Sequence, residues 1–252
     1  LEEMGFRRAG KMNSLFKTPP TNEIDAITNK HKSPGEKFSP SKYAMITGDK
    51  TLSPNNISEI KLLTAESNLN GENVRVVLIS QAGSEGLDLK FIRQVHILDP
   101  WYNMNRIEQI IGRAVRTCSH KDLPFIKRNV ELYLHGTILD KEREEAADLY
   151  VYRLSEQKAI RIGEVSRVLK QSSVDCLLNT KQVEFTPEIL QQTVIQELAS
   201  GKRINYKVGD KPYTAICDYM ESCQYICKPN KAITAEKLDT YSEEFITMNT
   251  EK

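Results

Sequence analysis

Val74-Arg75-Val76-Val77-Leu78-Ile79 runs directly into Ser80-Gln81-Ala82-Gly83-Ser84-Glu85-Gly86-Leu87-Asp88-Leu89. The first six positions are almost all β-branched or apolar, the pattern of a strand buried on both faces in a parallel sheet. The next segment is small and polar and holds Gly83 and Gly86. A strand that ends in such a loop and opens a helix turns free amides outward, and the helix dipole favours negative charge there. The two glycines permit close approach of the backbone to a phosphate. Ser80 and Ser84 offer hydroxyl donors; Glu85 and Asp88 offer acceptors for a ribose hydroxyl or for a positioned arginine. Taken alone, the segment is equally an ordinary strand-to-helix turn, with glycines for geometry and an acid as cap.

On either side the same alternation continues. Tyr43 to Thr47 is a short apolar strand closed by Gly48-Asp49, and Asn56 to Leu69 has helical spacing at Ile57, Ile60, Leu63 and Ala65. Gln94 to Leu98 and Val130 to Leu134 are further strands, with a helix over Asn103–Val115 between them. Strands alternating with helices predict a parallel sheet with helices on both faces. Residues 1–16 begin as helix, and 17–40, polar and proline-rich, are a long surface loop. After Asp140 the chain becomes rich in Glu, Lys, Arg, Leu and Ala at helical spacing through Asn179, as one long helix or two in series. Pro187 to Leu198 reads as helix and Arg203 to Tyr213 as strand-like. The expected domains are therefore 1–140, an α/β lobe; 141–200, a helical extension; and 201–252, a small cysteine-containing region.

The segment richest in chemistry is Gln109-Ile110-Ile111-Gly112-Arg113-Ala114-Val115-Arg116. Two arginines three apart on a helix share a face, and their fork-shaped, permanently charged heads suit phosphate oxygens. At a cleft between lobes such a pair neutralises charge on a transferring γ-phosphate. Gly112 lets the helix approach a neighbouring backbone, and Gln109 stands one turn before Arg113. An isolated pair of this kind is usually a surface salt-bridge donor; here it follows the glycine loop in one chain, and the combination favours a phosphate site.

The 252 residues are 39% hydrophobic and 27% charged, with a net charge of +1. That composition is ordinary for a globular protein. No basic field covers the whole molecule, so nucleic-acid contact has to be local, as over Arg106, Arg113, Arg116, Lys121, Lys127 and Arg128. No apolar run approaches the ~20 residues of a membrane span. The start lacks an initiator methionine and signal-peptide character, and a fragment of a longer chain is expected. The five cysteines predict reduced thiols. Cys217, Cys223 and Cys227 stand close enough to raise the alternative of a structural zinc site, with a fourth ligand from Cys176 or beyond the chain's end; the irregular spacing favours ordinary buried thiols. Trp101 reads as core packing, His96 as a sheet residue, and His120 as a minor candidate for phosphate contact.

Three strings together resemble motifs V, Va and VI of superfamily 2 ATPases of the Swi/Snf-like branch: Leu78 to Leu89; Val95-His96-Ile97-Leu98-Asp99-Pro100-Trp101-Tyr102-Asn103; and Gln109 to Arg116. Thr47-Gly48-Asp49 sits where that branch has a comparable short segment. Gly86 through Arg116-Thr117-Cys118-Ser119-His120, with Ile162-Gly163-Glu164 and Val174 to Asn179, is similar to the early-transcription-factor and nucleoside-triphosphatase helicases of poxviruses and other large cytoplasmic DNA viruses.

The resemblance implies a RecA-like second helicase lobe whose first strand is missing from the chain, followed by a mostly helical extension. It assigns Arg113 and Arg116, helped by Gln109, to ATP held by the other lobe. It assigns Ser80, Gly83, Glu85, Gly86, Asp88 and Gly112 to nucleotide or nucleic-acid contacts. The phosphate-binding G-x-x-x-x-G-K-[ST] loop and the acid pair for Mg²⁺ are absent from this sequence. ATP and Mg²⁺ would thus sit mainly on the missing N-terminal lobe, and the chain alone would be inactive. The implied activity is a DNA-dependent ATPase or helicase in viral early transcription, located in the virion and host cytoplasm. Its partners would be the DNA backbone, the missing lobe and viral RNA polymerase or transcription factors, with no membrane. The alternative is a non-hydrolysing platform that binds DNA and polymerase-associated proteins.

Overall fold

A computed structural model describes residues 1–10, 22–35, 37–80, 87–140, 144–177 and 187–228. Its contacts form two compact units, Leu1–Ser155 with Thr193–Tyr206, and Glu156–Gln192 with Lys207–Lys252. These bounds differ from divisions at 140 and 200: the first unit extends into the long helix, and residues 193–206 return to it.

The first unit holds β1 (Arg7–Arg8), β2 (Lys42–Ile46), α1 (Asn56–Thr64), β3 (Val76–Ile79), β4 (Gln94–Ile97), α2 (Met104–Ala114) and β5 (Glu131–Leu134). β2 pairs in parallel with both β1 and β3, and β4 pairs in parallel with β5. Parallel strands alternating with helices are the α/β arrangement of a RecA-like lobe. The core beneath them is Ala9, Ala44, Ile46, Leu63, Val74, Leu87 and Leu89, with Ile60, Val77 and Ile92 packed against it.

Several expectations change here. Residues 1–10 form turns and a short strand rather than helix. That strand, β1, pairs in parallel with β2. α1 ends at Thr64, because Ala65 turns extended, and a 3₁₀ turn over Glu66–Asn68 follows. The buried face of α1 is Glu59 and Leu63, whereas Ile57 is exposed. Within the expected surface loop, Glu23, Asp25 and Ala26 are buried. Asp25 makes the segment cohere: Oδ1 accepts from the amides of Ile27 and Thr28, and Oδ2 from the amide of Ser39.

α3 (Ala147–Ser172) is a single helix. α4 is only Pro187–Leu190, and β6 (Thr193–Glu197) replaces the second half of the expected helix. The β-branched run Thr193-Val194-Ile195 favours the extended form, and β6 pairs with β7 (Arg203–Lys207). Gly201, at φ +82°, makes the turn between them. Asn129 Nδ2 donates to Gln196 Oε1 at 2.9 Å, and Glu131 Oε2 accepts from the Ala199 amide at 3.0 Å, which fastens this hairpin beside β5.

In the second unit, α3 beyond Ser155 is clasped by residues 213–228. Arg167 Nε donates to Asp218 Oδ2 at 2.7 Å, Nη1 to the Gln224 carbonyl at 3.0 Å, and Nη2 to the Cys217 and Ser222 carbonyls at 2.8 and 3.0 Å. The Tyr225 ring lies 5.1 Å from the guanidinium. The cysteines here are not free thiols. Cys176 is joined to Cys227, and Cys217 to Cys223.

Candidate functional site

α2 presents an apolar side, on which Ile107 and Ala114 are each 2% exposed, and a polar side that carries Gln109 exposed to solvent. The last helical hydrogen bond donates from the Val115 amide to the Ile111 carbonyl at 2.9 Å. Arg116 therefore stands beyond the helix and does not share a helical face with Arg113. Both arginines still turn to the same segment. Arg113 Nη1 lies 3.5 Å from the Leu87 carbonyl, and Arg116 Nη1 donates to Asp88 Oδ1 at 3.0 Å. Arg116 Nε also reaches its own helix at the Gly112 carbonyl, 3.3 Å away.

Residues 87–91 alternate: Leu87, Leu89 and Phe91 are buried, Asp88 and Lys90 exposed. The buried members fill the core, so the alternation holds the Asp88 carboxylate outward where Arg116 meets it. The Arg116 side chain is 39% exposed and that of Asp88 64%. Ser80 is exposed after the end of β3, its amide donating to the Ile46 carbonyl at 3.1 Å. Gly83, Glu85 and Gly86 lie outside the described residues. The structure thus brings together Arg113, Arg116, Gly112 and Asp88.

A Cβ built at Gly112 meets nothing within 4 Å among the described residues, so no close backbone approach explains the glycine. Trp101 is not core: it is 38% exposed, with the Arg106 guanidinium 5.1 Å from its ring. With Asp99, Tyr102 and Thr137 it lines an open cleft of about 580 Å³. Glu108, on α2, has its carboxyl pushed above the ordinary value by burial.

His96 is exposed on β4, stacks on Tyr133 at 4.6 Å, and shares a 3.0 Å hydrogen bond with His135. His120 is engaged in the protein itself, 2.7 Å from the Ile92 carbonyl and 2.7 Å from Ser119 Oγ. Sequence reading missed this last pair, because nothing in the spacing of Ile92 and His120 announces a contact. Cys217, Cys223, Cys227 and Cys176 are consumed in disulfides, so in this arrangement they offer no thiolates to zinc, and no group of three or more candidate ligands occurs among the described residues.

Residues 22–118 match the helicase conserved C-terminal domain. Over 217 residues, 82% of this chain, it is 28% identical to the putative ATP-dependent RNA helicase L377 of Acanthamoeba polyphaga mimivirus, covering 17% of that protein. It is 31% identical over 58% of its length to the putative helicase 087L of Invertebrate iridescent virus 3, covering 15% of that protein. It is 28% identical over 55% of its length to a termination factor NPH-I homolog of African swine fever virus, covering 21% of that one. The chain therefore spans well under a third of each of these relatives.

Proposed function

From a chain whose residues 22–118 match the helicase conserved C-terminal domain, similar to putative helicases of a mimivirus and an iridescent virus and to a termination factor homolog of African swine fever virus, we propose the C-terminal motor half of a DNA-dependent ATPase that translocates on nucleic acid during viral early transcription. The observation that carries the reading is the meeting of Arg113 and Arg116 with the tail of the glycine loop, at Leu87 and Asp88. Two cations with exposed or half-exposed side chains, beside a segment suited to anions, can move onto phosphate when ATP enters between lobes.

ATP and its Mg²⁺ are held mainly by an N-terminal lobe with the phosphate-binding loop. This chain supplies the arginines, with Gln109 beside them; Ser80, Gly83 and Gly86 meet the nucleic-acid backbone or the nucleotide, and Glu85 and Asp88 accept from a ribose hydroxyl or orient the arginines. Closure of the lobes brings the arginines to the γ-phosphate, and hydrolysis reopens them. The viral RNA polymerase or its transcription factors are the partners, in the virion and host cytoplasm. One relative is named an RNA helicase; competition between DNA and RNA for stimulation decides which nucleic acid the motor uses.

In the protein carrying both lobes, Arg113→Ala and Arg116→Ala each lower nucleic-acid-stimulated ATP turnover by about 10³–10⁵, the contribution of an arginine finger, and leave DNA affinity nearly unchanged. Wild-type turnover in both variants rejects the assignment. Wild-type protein that hydrolyses no ATP with any nucleic acid turns the reading to a binding platform.

A further inference from the structure

Residues 87–92 and 113–120 are fastened together by more than the two arginines. The Phe91 amide donates to the Ser119 carbonyl at 3.3 Å, and His120 lies 2.7 Å from the Ile92 carbonyl through Nε2. A carbonyl only accepts, so Nε2 carries the hydrogen. Ser119 Oγ lies 2.7 Å from Nδ1, and the same hydroxyl faces the Arg116 carbonyl at 2.9 Å and the Ala114 carbonyl at 3.4 Å, so its one hydrogen is shared among partners at the end of the helix. The remaining lone pairs of that oxygen face the Arg116 amide at 3.4 Å. The Ser119 amide donates to the Arg116 carbonyl at 3.1 Å.

This chain of contacts sits where the helix no longer holds the backbone. α2 ends at Ala114, and Cys118 is in the left-handed region at φ +63°. Ser119 is only 5% exposed, so water does not substitute for its partners. The polypeptide that carries Arg116 is therefore set by Ser119, Ser119 by His120, and His120 by the entrance to β4.

Resting on the motor reading above, we infer that His120, acting through Ser119, is a positioning residue for Arg116. It fixes the backbone from which the guanidinium reaches phosphate and does not itself touch phosphate. Small misplacement of a transition-state cation costs rate with little cost in ground-state binding.

The test uses the protein with both lobes, under single-turnover conditions that resolve slow rates. His120→Ala lowers the rate of hydrolysis by about tenfold to a hundredfold, while the affinities for ATP and DNA stay within about twofold. His120→Gln, whose amide can still donate to the Ile92 carbonyl, recovers most of the rate. In an Arg116→Ala background, His120→Ala costs nothing further. An equal loss in that background, or a wild-type rate in His120→Ala, overturns the inference. Failure of the arginine reading itself is told apart by the single variant: a wild-type rate in Arg116→Ala removes both.

Discussion

At the scale of the residue, the pairing of Arg116 with Asp88 is a weak tether by design of its surroundings. Both side chains are substantially exposed, and an exposed ion pair is worth about 0–1 kcal/mol. The carboxylate gives the guanidinium a direction at little energetic cost to any move away from it. Arg167 shows the opposite case. Its side chain is 8% exposed and that of Asp218 4%, so removal of Asp218 strands a buried guanidinium, a loss of about 3–5 kcal/mol, whereas removal of Arg167 leaves Asp218 its ion pair with Lys170. The same residue type thus serves a movable contact in one unit and a fixed one in the other, and burial decides which. Asp25 adds a pH dependence. Backbone amides of Ser39 and Thr28 hold its carboxyl at about 2, below the ordinary 3.8. A depressed folded value stabilises the native state above the ordinary value, and that stability is lost as pH falls toward 2. Wild-type protein should therefore lose more stability between pH 5 and pH 2 than Asp25→Asn does, measured by denaturant midpoints; parallel losses would show that Asp25 contributes nothing through its charge.

At the scale of the element, α3 is shaped by what lies across it. Gly163 is an unfavourable residue for a helix interior, about 1 kcal/mol worse than alanine. Its reason is tertiary: a Cβ there would stand 2.0 Å from the Asp218 carbonyl oxygen. Asp218 itself is left-handed, at φ +54°, which turns that carbonyl and its carboxylate toward the helix. Gly163→Ala should destabilise the clasp despite its better helix propensity, seen as a lowered thermal midpoint and faster amide exchange over residues 213–228. A stabilised variant would mean that the loop does not bear on the helix there. In α2 the decisive event is its end: by stopping at Ala114 the helix gives Arg116 to a turn held by side chains.

At the scale of the whole molecule, the two units draw on different sources of stability. The first has a cluster of buried apolar residues beneath parallel strands. The second ties its loop to α3 with an ionic hub, closes the loop on itself through Cys217–Cys223 and joins it to Cys176, just after α3. The Cys176–Cys227 link spans 51 residues, a separation for which the loop-entropy model gives up to about 4 kcal/mol. Reduction should accordingly raise amide exchange across residues 207–228 and leave β1–β3 unchanged. Uniform loss of protection, or none at all, would contradict this division of labour. With a net charge of +1, the nucleic-acid binding proposed above would rest on few phosphate contacts and local arginines rather than on a basic surface.

Sequence alone determined the alternation of strand and helix and singled out the two arginines that turn toward Leu87 and Asp88. These are local patterns: a buried parallel strand needs a continuous apolar run, and guanidinium groups suit phosphate oxygens whatever surrounds them. It also located β2 through β5 to within a residue or two of their observed bounds. Tertiary structure decided the rest. That β1 joins the sheet from Arg7–Arg8, that β6 is strand where helix was expected, and that α1 buries Glu59 in place of Ile57 all follow from neighbours distant in the chain. The partners of the cysteines have no signature in their spacing, and neither does the route from Ile92 through His120 and Ser119 to Arg116. A hydrogen bond or a disulfide depends on where two backbones are brought together, and only the packing of the core sets that distance.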